Sequence, residues 1–294
     1  MKKAVSVSLG SSVRDACAEI DLLGERVSLR REGWDGDVDQ VTNRFQELDG
    51  HVDSFGVGGI DLWVHSINRT FSLNSAHKLI KGVKQTPIVD GSGLKNTLEK
   101  QTAVIVKKVT SKRKVMVVSG LDRLGMTQSF FDQDFDVLCG DAGFALGIPL
   151  RIKSLRGLAR LGASVLPVVS RLPIHMIYPT GGEQHKVEPK FDDWYAWADI
   201  IAGDCLYIKR HMPPRLDGKV VVTNTTTAAD RVAFRKRGVQ DIITTTPVIN
   251  GRSFGTNLFE AGLTAAAGKN RPLTAPELQS CIEQLDLKPT VIED

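Results

Sequence analysis

The sequence predicts an α/β protein of two domains, the second a Rossmann-like doubly wound parallel sheet. Three observations predict it. Strand-like apolar runs alternate with helix-like ones over nearly all of the 294 residues, the pattern of parallel sheets covered by helices. A strand at Val115–Ser119 runs into a glycine-bounded turn, a helix and a second strand ending in an acid, the parts of a mononucleotide-binding βαβ unit. The length suits two domains of moderate size, and 41% hydrophobic with 24% charged residues excludes wholesale disorder.

In chain order, Ala4–Leu9 reads as a strand and leads through Gly10-Ser11-Ser12 into a helical stretch from Val13 to Leu23. Glu25–Arg30 is a second strand, and Asp37 is the N-cap of a helix to Leu48. Val52–Val57 is a third strand before Gly58-Gly59. Asp61–Ser66 and Arg69–Leu73 flank Ile67-Asn68 as a hairpin. Ser75 caps a helix to Lys84, and the strand Pro87–Val89 ends in Asp90-Gly91-Ser92-Gly93, where a helix from Leu94 begins. The basic run Lys107, Lys108, Lys112, Arg113 and Lys114 reads as a solvated connection between the domains.

Beyond it, six strands are expected: Val115–Ser119, Asp136–Cys139, Ile174–Tyr178, Ala198–Gly203, Val220–Thr223 and Asp241–Thr245. Ala142–Pro173 carries five basic residues and no acid. It reads as the long crossover between the second and third of these strands, with arginines on its outer face. The resulting division is 1–110, an N-terminal α/β substrate domain; 111–250, the dinucleotide-binding domain; and 251–294, a helical segment packing back on the cleft.

Charge and composition narrow the function. A net charge of +4 with 34 acids among 38 bases, and 6% aromatics, argue against nucleic acid as a partner. No run approaches the roughly 20 apolar residues of a membrane span. The four cysteines lie far apart, and no pair of histidines has metal-ligand spacing, so no metal is expected and reduced thiols of a cytoplasmic protein are. The expected partner is a small-molecule substrate, with a homodimer left open.

The candidates for chemistry sit where strands end, because open parallel sheets bind ligands outside the carboxyl ends of their strands. Gly120, Arg123 and Gly125 form the first turn of the second domain, and Asp141 comes 21 residues after Gly120, the spacing of an acid that accepts from ribose hydroxyls. The turn has no G-x-G-x-x-G. Asp141 would repel a 2′-phosphate, so NAD is preferred to NADP, although Arg123 and Arg151 could reverse that. Asn224 and Thr225 follow the fifth strand of the domain and Thr246 the sixth, hydroxyls and amides suited to nicotinamide and ribose. Plain capping of helix starts accounts for some of these residues, but three such polar clusters between Thr223 and Asn257 exceed what capping needs.

In the first domain Lys95 and Asn96 stand at a helix start after Asp90. Lys95 is the candidate acid/base, if burial lowers its pKa, with Asp90 beside it. Ser11, in Gly10-Ser11-Ser12-x-Arg14, and Asn257 are candidate substrate ligands, and Arg252 is the natural fork for a substrate carboxylate. Asp61, after Gly58-Gly59, is either a turn acid or a functional one.

Five stretches, KAVSVSLGSS from Lys3, PIVDGSGLKNTLE from Pro87, GDAGFALGIP from Gly140, YPTGGEQ from Tyr178 and TTTPVINGRSFGTNLFEA from Thr244, resemble the bacterial quinate 5-dehydrogenase-like family. Ala198–Val222 also resembles the fourth-to-fifth strand passage of nicotinamide dehydrogenases. The resemblance implies a substrate domain followed by a dinucleotide domain, and NAD(P)-dependent oxidation of a small hydroxy acid or cyclic polyol carboxylate. The lysine and aspartate motifs of shikimate-type enzymes are not recognisable, and Lys95 fills the lysine's place by position alone. The alternatives are a non-catalytic nucleotide- or ligand-binding or assembly protein on the same scaffold, and a transferase with a nucleotide-bearing donor.

Overall fold

A computed structural model describes residues 1–177 and 186–293. The chain begins with β1 (Lys2–Ser8), β2 (Ala16–Leu22), β3 (Glu25–Gly33), α1 (Val38–Leu48) and β4 (Ser54–Gly58). The hairpin β5 (Trp63–Ser66) and β6 (Arg69–Ser72) follows, then α2 (Asn74–Leu79), β7 (Ile88–Val89), α3 (Ser92–Lys95) and α4 (Thr102–Val109). The second half opens with β8 (Lys114–Val117), α5 (Leu124–Asp132), β9 (Asp136–Cys139), α6 (Asp141–Leu146), α7 (Leu155–Val169) and α8 (Ile174–Ile177). It continues through α9 (Asp192–Trp197), β10 (Ile200–Gly203), α10 (Cys205–His211), β11 (Val220–Thr223), α11 (Ala228–Arg235) and β12 (Asp241–Thr244). Last come β13 (Val248–Ile249), β14 (Arg252–Ser253), α12 (Thr256–Ala267), α13 (Ala275–Gln284) and β15 (Thr290–Val291).

Two separate sheets form. The first has the order β2-β3-β1-β4-β7 and is parallel except at β2. The second has the order β15-β12-β11-β10-β8-β9, parallel except at β15. In the second sheet the chain leaves β8 for β9 on one side and returns to β10 on the other, so the switch point lies between β8 and β10. The period of two decides the layers. Along β8, Val115 and Val117 join the core under α5 and α7, while Met116 and Val118 join that under α9, α10 and α11. The first sheet packs α12 and α13 on one face and α1 and α2 on the other.

Three expectations are corrected. The helix expected over Val13–Leu23 is mostly the strand β2, because Ala18 and Leu22 alternate with exposed neighbours and Leu23-Gly24, at φ 52° and 83°, turns the chain straight back into β3. The strand expected at Ile174–Tyr178 is instead α8 over Ile174–Ile177, and Tyr178 lies outside the described residues. Among the described residues, the place beside β9 holds a single antiparallel bridge between Cys139 and Ile152. The last strand of the second sheet is β15, from the segment expected to be helical. No helix among the described residues is long and apolar enough to cross a membrane.

Candidate functional site

A cleft of about 460 Å³ separates the two sheets. Its floor is made by the carboxyl ends of β1 and β4 from one side and of β8, β10 and β11 from the other. α7 and α8 form an apolar wall through Leu161, Val165, Val169 and Met176.

Lys95 lies at the base of the cleft, at the end of the one-turn helix α3. Its ammonium bonds both oxygens of Asp61 at 2.8 Å and Oδ1 of Asp122 at 2.8 Å. Asp61 comes from the turn after β4, and Asp122 from the turn after β8. The lysine therefore joins the two halves of the molecule, and it is 5% exposed. Burial pulls the ammonium's pKa down, but the carboxylates of Asp122 and Asp61 more than offset it and hold Lys95 well above its ordinary value. This reverses the expectation of a lysine whose pKa is lowered. Burial would also raise Asp122, yet Lys95 and Arg123 hold it far below the carboxylate range. Burial and the neighbouring Asp122 push Asp61 the other way, well up. The two carboxyls that share the Lys95 ammonium are thus pushed in opposite directions, the polarity useful to an acid and a base side by side.

Arg123 fixes Asp122 in place. Its guanidinium bonds Asp122 at 3.1 Å, Glu99 at 2.9 Å and Asp204 at 3.3 Å. Asp204 in turn accepts from Asn224 at 3.0 Å. Arg123 is thereby committed to three carboxylates and is not poised for a phosphate. Arg151 is exposed and pairs with Asp193.

Asp90 is not a partner of Lys95. Its two oxygens accept from the amides of Leu62, Trp63 and Ser92 at 2.8, 3.1 and 2.9 Å, and so fix the turn that carries Asp61. Asn96 bonds back to the carbonyl of Ser92 and faces a small void behind Lys95 rather than the main cleft. Ser11 caps the 3-10 turn Ser12–Arg14 and lies outside the lining, but that turn aims Arg14 into the cleft. Thr246 is fully buried, its hydroxyl oxygen 2.9 and 2.6 Å from the carbonyl oxygens of Asn224 and Phe254, which share its one proton. It ties strand ends together and does not face the cleft. Asn224, Thr225, Arg252 and Asn257 do line it, Asn257 donating to Ser6 Oγ at 2.7 Å.

Asp141 departs most from its expected role. Its carboxylate accepts from the amides of Gly120 and Leu121 at 2.8 and 2.9 Å. The acid expected on the ribose hydroxyls closes the turn that was expected to meet a pyrophosphate, and burial raises its pKa to about 6. The argument for NAD over NADP that rested on this acid lapses with it. The turn nevertheless has the chemistry of an oxyanion cradle, with Asp141 as the stand-in oxyanion. Asn224 and Thr225 line the cleft at the end of β11, the Asn224 amide donating to Asp204 and the Thr225 hydroxyl to the carbonyl of Ser253. Gly125 has another reason to be glycine: a Cβ there would overlap the backbone oxygen of Lys95.

Asp122, Arg31, Ser6 and Ser8 were not among the expected site residues. The two serines carried a signal, because Ser6 and Ser8 put hydroxyls on one face of the otherwise apolar β1 as it reaches the cleft. Nothing local marked Arg31, which enters the site through the pairing of β3 with β1.

A family model described as Domain of unknown function (DUF8754) matches residues 93–293, and one described as Domain of unknown function (DUF8753) matches residues 3–90. No curated protein and no solved structure matches the chain.

Proposed function

The chain belongs to the family described as Domain of unknown function (DUF8754), and from its cleft we propose that it is an NAD(P)-dependent oxidoreductase acting on a small hydroxy acid or cyclic polyol carboxylate of the quinate or shikimate kind. The observation that carries this reading is the Lys95 ammonium held between Asp61 and Asp122 at the switch point of a Rossmann-like sheet.

Residues at the ends of β8, β10 and β11 would hold the dinucleotide: the Gly120–Leu121 amides at a phosphate, and Asn224 and Thr225 at the ribose and amide. When bound, the cofactor accepts or supplies the hydride. The protein's part is to handle the proton and the oxygen. Lys95, charged throughout the physiological range, gives up one of its two bonds to Asp61 to donate to the reacting oxygen and stabilises it as it becomes an alkoxide. Asp122, ionised, takes the hydroxyl proton in oxidation and returns it in reduction, while Asp61 shares the Lys95 ammonium with it. Arg252 receives the substrate's carboxylate.

The non-catalytic alternative rests on one feature, the Gly120 and Leu121 amides already satisfied by Asp141. Thermal-shift titration with NAD, NADP and their reduced forms separates the readings, followed by absorbance assays with carboxylate-bearing cyclic alcohols. Stabilisation by a nicotinamide nucleotide and its reduction by such an alcohol are expected. No stabilisation by any of the four would sink the dehydrogenase reading in favour of a plain ligand-binding protein.

A further inference from the structure

We propose that the Arg14–Arg31–Arg252 end of the cleft is a subsite for a dianionic group on the substrate, a phosphate monoester or a pair of neighbouring carboxylates. The inference deepens the reading of the cleft as a substrate site, and it does not depend on hydride transfer.

The three guanidiniums come from three parts of the chain. Arg14 lies in the turn after β1, Arg31 on β3, and Arg252 at the tip of the β13–β14 hairpin, whose turn residues Asn250 and Gly251 adopt φ 51° and 73°. The hairpin is docked by Ser253, whose hydroxyl accepts from the amide of Thr226 at 2.7 Å. Arg252 is thereby held by backbone, while its side chain only stacks on the ring of Phe254, 5.3 Å from the centroid. Among the described residues its guanidinium makes no hydrogen bond and no ion pair, and its Nε is buried without a partner. Arg14 is 8% exposed and spends Nη1 on Asp230 at 2.9 Å, leaving Nη2 buried and unpartnered as well. Both arginines line the one cleft, and each keeps a buried nitrogen without a partner, which is costly to leave unpaired.

The charge balance indicates the ligand's valence. Asp230 serves both Arg14 and Lys209, at 2.9 and 2.6 Å, and Asp15 serves Arg31 at 2.7 Å. Four cations face these two bonded carboxylates. The further acids whose charge reaches them are already engaged, Asp204 by Arg123 and Asn224, and Asp35 by Ser12 on the solvent side. Burial, and then repulsion from Arg14 and Arg31, lower Arg252 to about 10. A ligand oxyanion with two charges removes that repulsion and completes both guanidiniums, whereas one charge leaves half of it in place. Asn257 and the hydroxyls of Ser6 and Ser8 also line the cleft and supply neutral donors.

Isothermal titration of the chain without cofactor, at constant ionic strength, uses inorganic phosphate, malonate and acetate as probes. Phosphate or malonate should bind at least tenfold more tightly than acetate, and the tighter of the two identifies the source of the dianion. Arg252→Gln should weaken that binding by about 10- to 100-fold and leave the melting temperature of the free chain unchanged or raised. Equal affinity for acetate and both dianions would overturn the proposal, and so would an Arg252→Gln chain that loses stability while keeping its anion affinity. Dianion binding without turnover would sink the dehydrogenase reading alone.

Discussion

The backbone carbonyl of Lys95 sits where a side chain on Gly125 would begin. Gly125 is in the first turn of α5 and Lys95 at the end of α3, so the missing Cβ lets the two halves of the molecule close to the distance at which Lys95 reaches Asp122. A glycine that looked like part of a phosphate turn is a packing device.

Gly125→Ala should therefore push α5 away from α3. An overpacked contact against backbone costs about 1–3 kcal/mol, read as a lowered urea midpoint with unchanged slope. The variant should also lose activity out of proportion to stability, because Asp122 moves with α5. Wild-type stability and turnover in Gly125→Ala would show that the contact relaxes without consequence.

The alternation of strands and helices was legible in the sequence, as were the second-domain strands Val115, Ile200, Val220 and Ile242 begin or belong to, because buried parallel strands read as unbroken apolar runs. β2 was missed because Ala16–Leu22 suits either period, and only pairing with β3 decides it. Of the site, Lys95, Arg252, Asn224 and Asn257 were visible as polar residues after strands. Asp61 stood out as a turn acid or a functional one, but neither its pairing with Lys95 nor Asp122 was visible, since both acids meet the lysine only when two separate turns converge. Asp141 was found by its spacing, but spacing cannot tell an acid facing a ligand from one turned onto its own turn.

Glu260 gives a pH signature outside the catalytic groups. It is buried in α12 and accepts from the amide of Leu94 at 3.0 Å. Burial, and then the charge of Asp90, push its carboxyl up to about 8. The folded chain holds this proton to higher pH than the unfolded chain, so the stability it carries is present below about pH 4.3 and is lost as pH rises to about 8. Glu260→Gln should flatten that decline and gain on the order of a few kcal/mol at pH 8.5. Urea titrations at pH 5.5, 7 and 8.5 measure it, and parallel pH profiles for the two proteins would refute the assignment.

Asp141 makes the opposite test on the cofactor side. A dinucleotide phosphate can use the Gly120 and Leu121 amides only by displacing this carboxylate. Asp141→Ala should tighten NAD(P) binding while lowering the stability of the free chain by about 1–3 kcal/mol, the cost of buried amides left without an acceptor. In the wild-type chain, protonation near pH 6 weakens the internal competitor, so dinucleotide affinity should rise between pH 8 and pH 5.5. Calorimetry at the two values decides it, and weaker binding in both comparisons would place the phosphates elsewhere.

Lys95 is the residue on which the oxidoreductase reading turns. Removing it strips the counter-charge from two carboxylates, so Lys95→Ala should lower turnover by roughly two to four orders of magnitude. It should also draw Asp122 back up toward the ordinary carboxylate range. The acid limb of the pH–rate profile, set by ionisation of Asp122, should then move to higher pH in whatever activity remains. Lys95→Arg keeps the charge but carries a planar fork that cannot point three donors at Asp61, Asp122 and a substrate oxygen. It should restore stability and the position of the acid limb, but not turnover. Substrate affinity should change little in Lys95→Arg, because the carboxylate is held by Arg252 at the other end. A loss confined to KM with kcat intact would make Lys95 a binding residue and assign the proton transfer to another group.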